Sequence, residues 1–507
     1  MVGAVVAVVR PCLTGLLLGG VLLAATAGCN SRLAATLPPP GPVPPAPGKP
    51  ADVPAPPRRA PTMGAPAATG TTPVPGTSIF KVPEELLRPG ASLSLADVVN
   101  IALENNPATR ATWFQARSAA ANLGVRRAPI YPTVDLTAPV TWSQQASSDG
   151  RQGEATVVGG PGLSLTYLLF DFGGRRASAR EAYWNLIALD WVHNATIQNT
   201  VFGVLQAYYQ YLNAKAQVEG AKATVESART NLKAAEVRHE AGVATIADVL
   251  QARTAVSQAE LALQTFEGLV TVLRGALATS MGLPASIPID VGNLPGELPT
   301  DRVAPAVEAL IADAMLQRPD LSAARAAVER AAQRVDVVRS DGLPAVLASG
   351  STNASLYQPG DYGGYQTNWA ARILFTMPLF TGFARSYDLQ RAQQDEAVAE
   401  AQVQTLEQQV ILQVWTSYYA LQTATRRVAT SRDLLESATQ SERVAFGRYK
   451  EGVGTIIDLL VAQSALASAR ALEIQARAEW FISLARLARD TGAAAPLADT
   501  ITIQQRP

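Results

Sequence analysis

Apolar and polar residues alternate one for one along residues 133–142. Val134, Leu136, Ala138, Val140 and Trp142 fall on even positions, and Thr133, Asp135, Thr137, Pro139 and Thr141 on odd ones. A period of two over this length predicts a strand with one apolar and one polar face. Its partner is predicted at about 162–170, after a Gly- and Ser-containing loop. The pattern returns at about 367–378, where Trp369, Ala371, Ile373, Phe375 and Met377 alternate with Asn368, Ala370, Arg372, Leu374 and Thr376. The strand ahead of it, at about 344–357, alternates more weakly and is small and polar.

Helical stretches flank each predicted hairpin. No proline interrupts residues 175–240 or 384–451, and each stretch leads through a Gly-containing turn into a second helix, ending near 281 and 491. Sixty-six helical residues span roughly 100 Å. Leu263, Phe266, Val270, Leu273 and Leu277 step by three and four, the spacing of a coiled-coil seam. Before each hairpin a shorter helical stretch is broken once, at Asn106-Pro107 and at Arg318-Pro319. The first of these opens with Ser94 and Asp97 at capping-box spacing, and Leu93 is set to staple onto Val98.

The order helix, strand, strand, long helix, long helix thus occurs twice. Phe170 recurs as Phe380, Tyr208 as Tyr418, Gly242 as Gly452 and Asp248 as Asp458, a constant spacing of 210 residues. Upstream, Pro107 recurs as Pro319 and Pro132 as Pro344, at 212. A period of this length is not a solenoid repeat. It marks a duplicated half-molecule, with repeats at 91–300 and 301–492 and a tail at 493–507. Both hairpins end in related turns, where Asp171 and Thr381 are expected to cap the long helices. The Gly173-Gly174 turn lacks the Gly-Lys-Thr/Ser of a phosphate-binding loop.

The predicted strands are about as long as a membrane β-strand. A soluble sheet with one wet face gives the same alternation for any single strand. Two matched hairpins on an exported chain favour the membrane reading, but one chain supplies four strands where a closed membrane barrel needs at least eight. An open sheet edge is forbidden in lipid, so several chains must share the barrel.

The N-terminus supplies the evidence of export. Arg10 precedes an apolar run at 13–25 that ends in Thr26-Ala-Gly-Cys29. Residues 1–28 read as a signal peptide and Cys29 as a lipidation site, with an ordinary cleaved signal as the alternative. Asn30 replaces the aspartate that would retain a bacterial lipoprotein in the inner membrane. Residues 29–90 form a tether whose Pro-, Ala- and Gly-rich stretch at 37–76 cannot bury a core. No membrane-spanning helix is expected after the signal.

The chain has 507 residues, with 42 basic and 42 acidic side chains, which argues against a nucleic-acid partner. Its two cysteines, Cys12 and Cys29, both precede the repeats, and its two histidines, His193 and His239, lack metal-spaced partners. No nucleophile–base pair, metal-ligand motif or cofactor-binding signature stands out, so no enzyme, metal site or cofactor is expected.

The run Ala102-Leu-Glu-Asn-Asn-Pro107, Pro132, the Leu169-Phe170-Asp171 and Gly173-Gly174-Arg175-Arg176 turn, and both Gly-Val/Thr-Ile-x-Asp turns carry a resemblance to the TolC-like outer-membrane efflux channels. It covers residues 90–490, and the signal and tether resemble the lipoprotein branch of that family. The resemblance implies a mixed α and β membrane protein, with a long α-helical barrel and a shared β-barrel of four strands per chain and twelve in a homotrimer. It implies a passive conduit in the bacterial outer membrane, anchored in outer-membrane lipid and docked to a periplasmic adaptor protein and an inner-membrane transporter. A pore-less periplasmic coiled-coil scaffold and a type I protein secretion channel are the alternatives.

By the same resemblance, Asp248 and Asp458 are candidates for a periplasmic gate, an acidic constriction at the tunnel's inner end. Their spacing from Thr245 and Thr455 also makes each a capping-box residue, a purely structural role. Gln251 and Val461 stand where a second acidic residue is common in the family. Arg238, Arg448 and Lys450 lie close enough in sequence to pair with the aspartates. Trp142, Trp369, Tyr167 and Tyr357 are candidates for interfacial aromatic belts.

Overall fold

The computed structural model describes residues 92–144, 155–295, 298, 306–358 and 366–493. The signal peptide, Cys29, the tether and the tail beyond 493 lie outside the described residues.

In the first half, α1 (Leu95–Asn105) and α2 (Pro107–Arg127) meet at Asn106. Ser94 and Asp97 form the capping box of α1, and Asn106 caps α2, accepting from the Ala108 amide at 2.8 Å. Pro107 sits at the first position of α2, where its missing N–H leaves nothing unsatisfied. Strand segments β1 (Thr133–Thr137), β2 (Val140–Ser143), β3 (Thr156–Gly159) and β4 (Gly162–Phe170) follow, then the helices α3 (Gly174–Glu240) and α4 (Ile246–Ser280). The second half gives α5 (Val307–Gln317), α6 (Pro319–Ser340), β5 (Ala345–Gln358), β6 (Gln366–Thr376), α7 (Ala384–Lys450) and α8 (Ile456–Asp490).

The six segments form four antiparallel lines. β1 and β2 make the first, pairing with β4 and β3; those two pair with β5, and β5 pairs with β6. The first line is divided at Pro139 and the second at Pro161, neither of which has an N–H for the ladder. Register holds across both prolines, since Thr137 faces Gly162 and Val140 faces Gly159. The second line begins at Thr156, upstream of the expected strand, inside what the sequence reads as loop. There the chain is held by pairing to β2 and β5 rather than by a pattern of its own.

The strand-to-helix turns correct one expectation. The residue capping α3 is Gly173 and that capping α7 is Phe383, both left-handed, and neither helix takes a side-chain cap there. Each turn places two consecutive residues at positive φ, Phe172 and Gly173 at 51° and 92°, Gly382 and Phe383 at 63° and 66°. Asp171 acts two residues early, accepting from the Arg175 amide at 2.6 Å, while Thr381 offers only its carbonyl, to Ala384. Arg175 then ties the turn to the sheet, donating to the carbonyls of Leu168, Leu169 and Pro129.

α3 is the central element, packing on α2, α4, α6 and α8. The main core lies midway along it, where Leu212, Leu277 and Met281 are fully buried and Tyr209 stacks on Phe481 with centroids 4.6 Å apart. The apolar content and length of α4 would permit a membrane span. In this fold, though, Leu263, Val270 and Leu273 face protein, because the seam packs α4 along α3. Both halves close alike: Gly282 is packed on Asn105–Asn106, and Gly492 on Gln317–Arg318. Arg318 is buried there, bonded to Asp320, Gln413 and the Asp490 carbonyl.

Candidate functional site

The two long helical hairpins end in turns with the same bonding. At the end of α3, Gly242 (φ 76°) donates to the His239 carbonyl at 2.9 Å and Val243 to the Arg238 carbonyl at 3.0 Å. At the end of α7, Gly452 (φ 78°) donates to Tyr449 at 3.1 Å and Val453 to Arg448 at 3.0 Å. The positive φ at each glycine reverses the chain without a Cβ penalty. Thr245 and Thr455 then start α4 and α8 as N-caps.

Both aspartates complete capping boxes. Asp248 accepts from the Thr245 amide at 2.8 Å, and its own amide donates to Thr245 Oγ1 at 3.3 Å. Asp458 accepts from the Thr455 amide at 3.3 Å, and its amide donates to Thr455 Oγ1 at 3.2 Å. Bonding to the Thr455 side chain, then to its backbone, holds the Asp458 carboxyl below the ordinary carboxylate range. Asp248 is half-buried and Asp458 exposed.

The arginine at the first turn does not pair with either aspartate. Arg238 crosses to the other hairpin, donating through Nη1 to the carbonyl of Tyr449 at 2.8 Å and of Lys450 at 3.4 Å. Its guanidinium lies over the Tyr449 ring, 4.9 Å from the centroid. The last carbonyls of a helix have no intrahelical donor, and a cation is favoured at that end, so α7 presents a ready acceptor. The Tyr449 hydroxyl is buried with no partner among the described residues, and burial raises its pKa above the ordinary phenol value. Sequence reading missed this contact. Its one signal was the 210-residue spacing, which matches Arg238 with Arg448 but His239 with Tyr449.

At the other end of the molecule, register gathers one apolar face across all four lines. Val134 and Leu136 stand opposite Leu165 and Leu163, these opposite Gly350 and Thr352, and these opposite Ala371 and Trp369. Ile373 and Phe375 continue the face, and both are exposed. Asp135, Ser164, Ser351 and Ser349 lie on the opposite face, with Arg372. Trp142 and Trp369 sit towards the hairpin ends of their strands, and Tyr167 towards the helices, below Arg175. The backbone of Tyr357 pairs with Val158, but its side chain lies outside the described residues. The outer lines, β1 with β2 and β6, each leave one edge unpaired in the single chain.

Comparison with known proteins agrees with this geometry. The family model described as outer membrane efflux protein matches residues 98–283 and 310–493. Among curated relatives, CyaE of Bordetella pertussis is 29% identical over 380 residues, covering 75% of this chain and 79% of that protein. The probable efflux pump outer membrane protein TtgC of Pseudomonas putida is 25% identical over 385 residues, covering 74% and 78%. In fold, the chain is similar to the outer membrane protein VceC of Vibrio cholerae, with a TM-score of 0.69, 22% identity, and coverage of 78% and 96%. It is also similar to the CmeC outer membrane channel of Campylobacter jejuni, with a TM-score of 0.70, 18% identity, and coverage of 88% and 97%. The chain belongs to the outer membrane efflux protein family, and it is the outer-membrane channel of an efflux pump.

Proposed function

We propose that three copies of this chain form one passive conduit, a twelve-stranded β-barrel in the outer membrane continued by an α-helical tunnel into the periplasm. The observation that carries this is the sheet: four lines, a continuous apolar face, and an unpaired edge on each side. Unpaired backbone in hydrocarbon costs several kcal/mol per group, so the edges must meet other edges. The two edges belong to different strands, which makes the contact head-to-tail, and in lipid, where no edge can stay open, such contacts must close into a ring. A pore-less scaffold has no use for such a sheet.

In this reading the apolar face meets lipid, and Trp142, Trp369 and Tyr167 stand near the two interfaces. Cys29 is the lipid attachment point, and residues 29–90 tether it to the body. The tips of α3–α4 and α7–α8 form the inner end, where a periplasmic adaptor and an inner-membrane transporter dock. Asp248 and Asp458 line the gate there while also capping their helices. The Arg238 crosslink between hairpins holds that end closed. The conduit performs no chemistry, and the energy for export comes from the transporter.

The test is mass and conductance of the full-length protein. Detergent-solubilised protein should scatter light as three chains and conduct ions in planar bilayers, whereas a water-soluble, non-conducting species would refute the reading. Replacing Cys29 by Ser should abolish labelling by a palmitate analogue in cells, and in-cell crosslinking should recover the adaptor and transporter.

A further inference from the structure

The two strand-to-helix junctions are copies of one another, yet they carry different charge. Both turn through consecutive residues at positive φ, and both place an arginine at the second position of the long helix, Arg175 or Arg385. Beyond that point they diverge. Arg176 and Arg180 of α3 correspond, 210 residues on, to Ser386 and Gln390 of α7. Arg127, at the end of α2, corresponds at 212 residues to Arg339. Arg339 pairs with Asp336 at 2.9 Å, whereas the residue matching Asp336 in the first half is Gly124. Arg127, Arg176 and Arg180 are exposed, and none has a hydrogen-bond or ion-pair partner among the described residues. Arg127 complements the carbonyl end of α2, but Arg176 and Arg180 have no such role. They lie four apart on one helix face, where like charges repel, at the helix end that disfavours a cation, and the first turn of α3 holds no acidic residue. The second junction makes the same kind of turn without these charges, so the turn does not require them.

The three arginines line a single cavity of about 530 Å³, with Ile130 and Gly173 in its wall. The cavity stands where the sheet meets the helices. Ile130 is 41% exposed and lies three residues before β1, whose apolar face starts at Val134. Alongside, Arg175 donates to the Pro129 carbonyl and lies over the ring of Tyr167, on the face of β4 that carries Leu163 and Leu165. α3 turns Gly174, Glu181 and Asn185 to α6, which leaves Arg176 and Arg180 on a different side. A basic cavity thus borders the apolar band at its helix end. In the barrel proposed above, on which this inference rests, that border is the periplasmic surface of the membrane.

We infer that the cavity binds the phosphate of an anionic phospholipid from the periplasmic leaflet, one lipid per chain, with its acyl chains running along the apolar face past Ile130. A guanidinium offers paired donors that match phosphate oxygens, and an arginine stem can lie on apolar surface while its head meets the phosphate. The bound anion offsets the repulsion among the three cations. The second junction, with Ser386, Gln390 and an Arg339 already paired to Asp336, binds none. Lipid therefore marks one half of each duplicated chain, at every second junction around the barrel.

The test uses the full-length protein in detergent, stripped of lipid, with bound lipid counted by native mass spectrometry. Phosphatidylglycerol should bind at up to three per trimer and in preference to phosphatidylcholine. Arg176→Ser with Arg180→Gln installs the residues of the second junction, so this variant should keep trimeric mass and ion conductance. Each basic side chain near an anionic surface is worth roughly fivefold in affinity, so the pair should weaken phosphatidylglycerol binding roughly 25-fold. Arg426→Ser with Arg432→Gln removes the same charge from exposed positions on α7 and should leave binding unchanged. Equal binding by wild type and the doubly substituted junction, or an equal loss in the α7 control, overturns the site. Displacement of the lipid by millimolar inorganic phosphate overturns the lipid as its ligand. A wild-type protein that is monomeric and non-conducting refutes the conduit itself, whereas a conducting trimer indifferent to lipid charge refutes only the cavity.

Discussion

Replacing Arg238 with Ala should unlatch the inner end of the tunnel. The side chain contributes a charge-assisted hydrogen bond to the Tyr449 carbonyl at 2.8 Å and a guanidinium over the Tyr449 ring at 4.9 Å. Hydrogen bonds to charged groups contribute about 1.5–3 kcal/mol and a partly exposed cation–π contact about 0.5–1 kcal/mol. Arg238 is half-buried and its Nε has no partner among the described residues, which offsets part of the sum. A net loss of about 2 kcal/mol per joint multiplies the open-to-closed ratio of that joint roughly 30-fold. Single-channel recording of the full-length protein reads this as open fraction, with folding checked by circular dichroism. Tyr449→Phe keeps the ring and the carbonyl and removes a buried hydroxyl that has no partner among the described residues, so it should leave the open fraction nearly unchanged. Tyr449→Ala should open the channel, and combined with Arg238→Ala it should add less than its separate effect, because contacting residues couple. Full additivity of the two, or an Arg238→Ala channel as closed as wild type, would refute the latch.

Other positions give independent tests. Gly282→Ala should lower stability by about 2 kcal/mol or more, seen in thermal melts, because its φ is 77° and a Cβ there would lie 2.7 Å from the Asn105 carbonyl oxygen. Gly268→Ala, inside α4 with nothing within 4 Å of the added atom, should instead stabilise by up to about 1 kcal/mol. Burial alone would raise the Asp320 carboxyl, but the Arg318 hydrogen bonds and charge hold it below the ordinary range. Its contribution is therefore present above an unfolded value of about 3.9 and is lost as pH falls through the lower folded value; Asp320→Asn should flatten that acid limb in urea titrations. Ile373→Lys, on the apolar face of β6, should cost about 2–4 kcal/mol near mid-membrane and reduce the folded fraction on refolding into bilayers. Ser351→Lys on the opposite face should be tolerated.

Periodicity in the sequence determined most of the element order. The alternation at 133–142 and 367–376, the uninterrupted helical stretches, both capping boxes at the tips and the duplication were all legible, because each is a short-range relation among neighbours. Two expectations failed where a local rule competes with its surroundings. Asp171 and Thr381 looked like N-caps, yet consecutive left-handed residues moved the helix start past them. Residues 156–159 showed no strand signal and became a strand by pairing with β2 and β5.

What only the tertiary structure decided is where unlike partners meet. The sequence set Arg238 near Asp248; the fold gave it the carbonyl end of α7, far off in the chain, while Asp248 caps α4. The duplication was plain from the sequence, but which face each half buries was not. Only packing showed α3 covered on the side that α7 leaves bare. Sequence periodicity fixes which side of a helix is apolar; contact between distant segments decides whether that side is satisfied within one chain or left for the next.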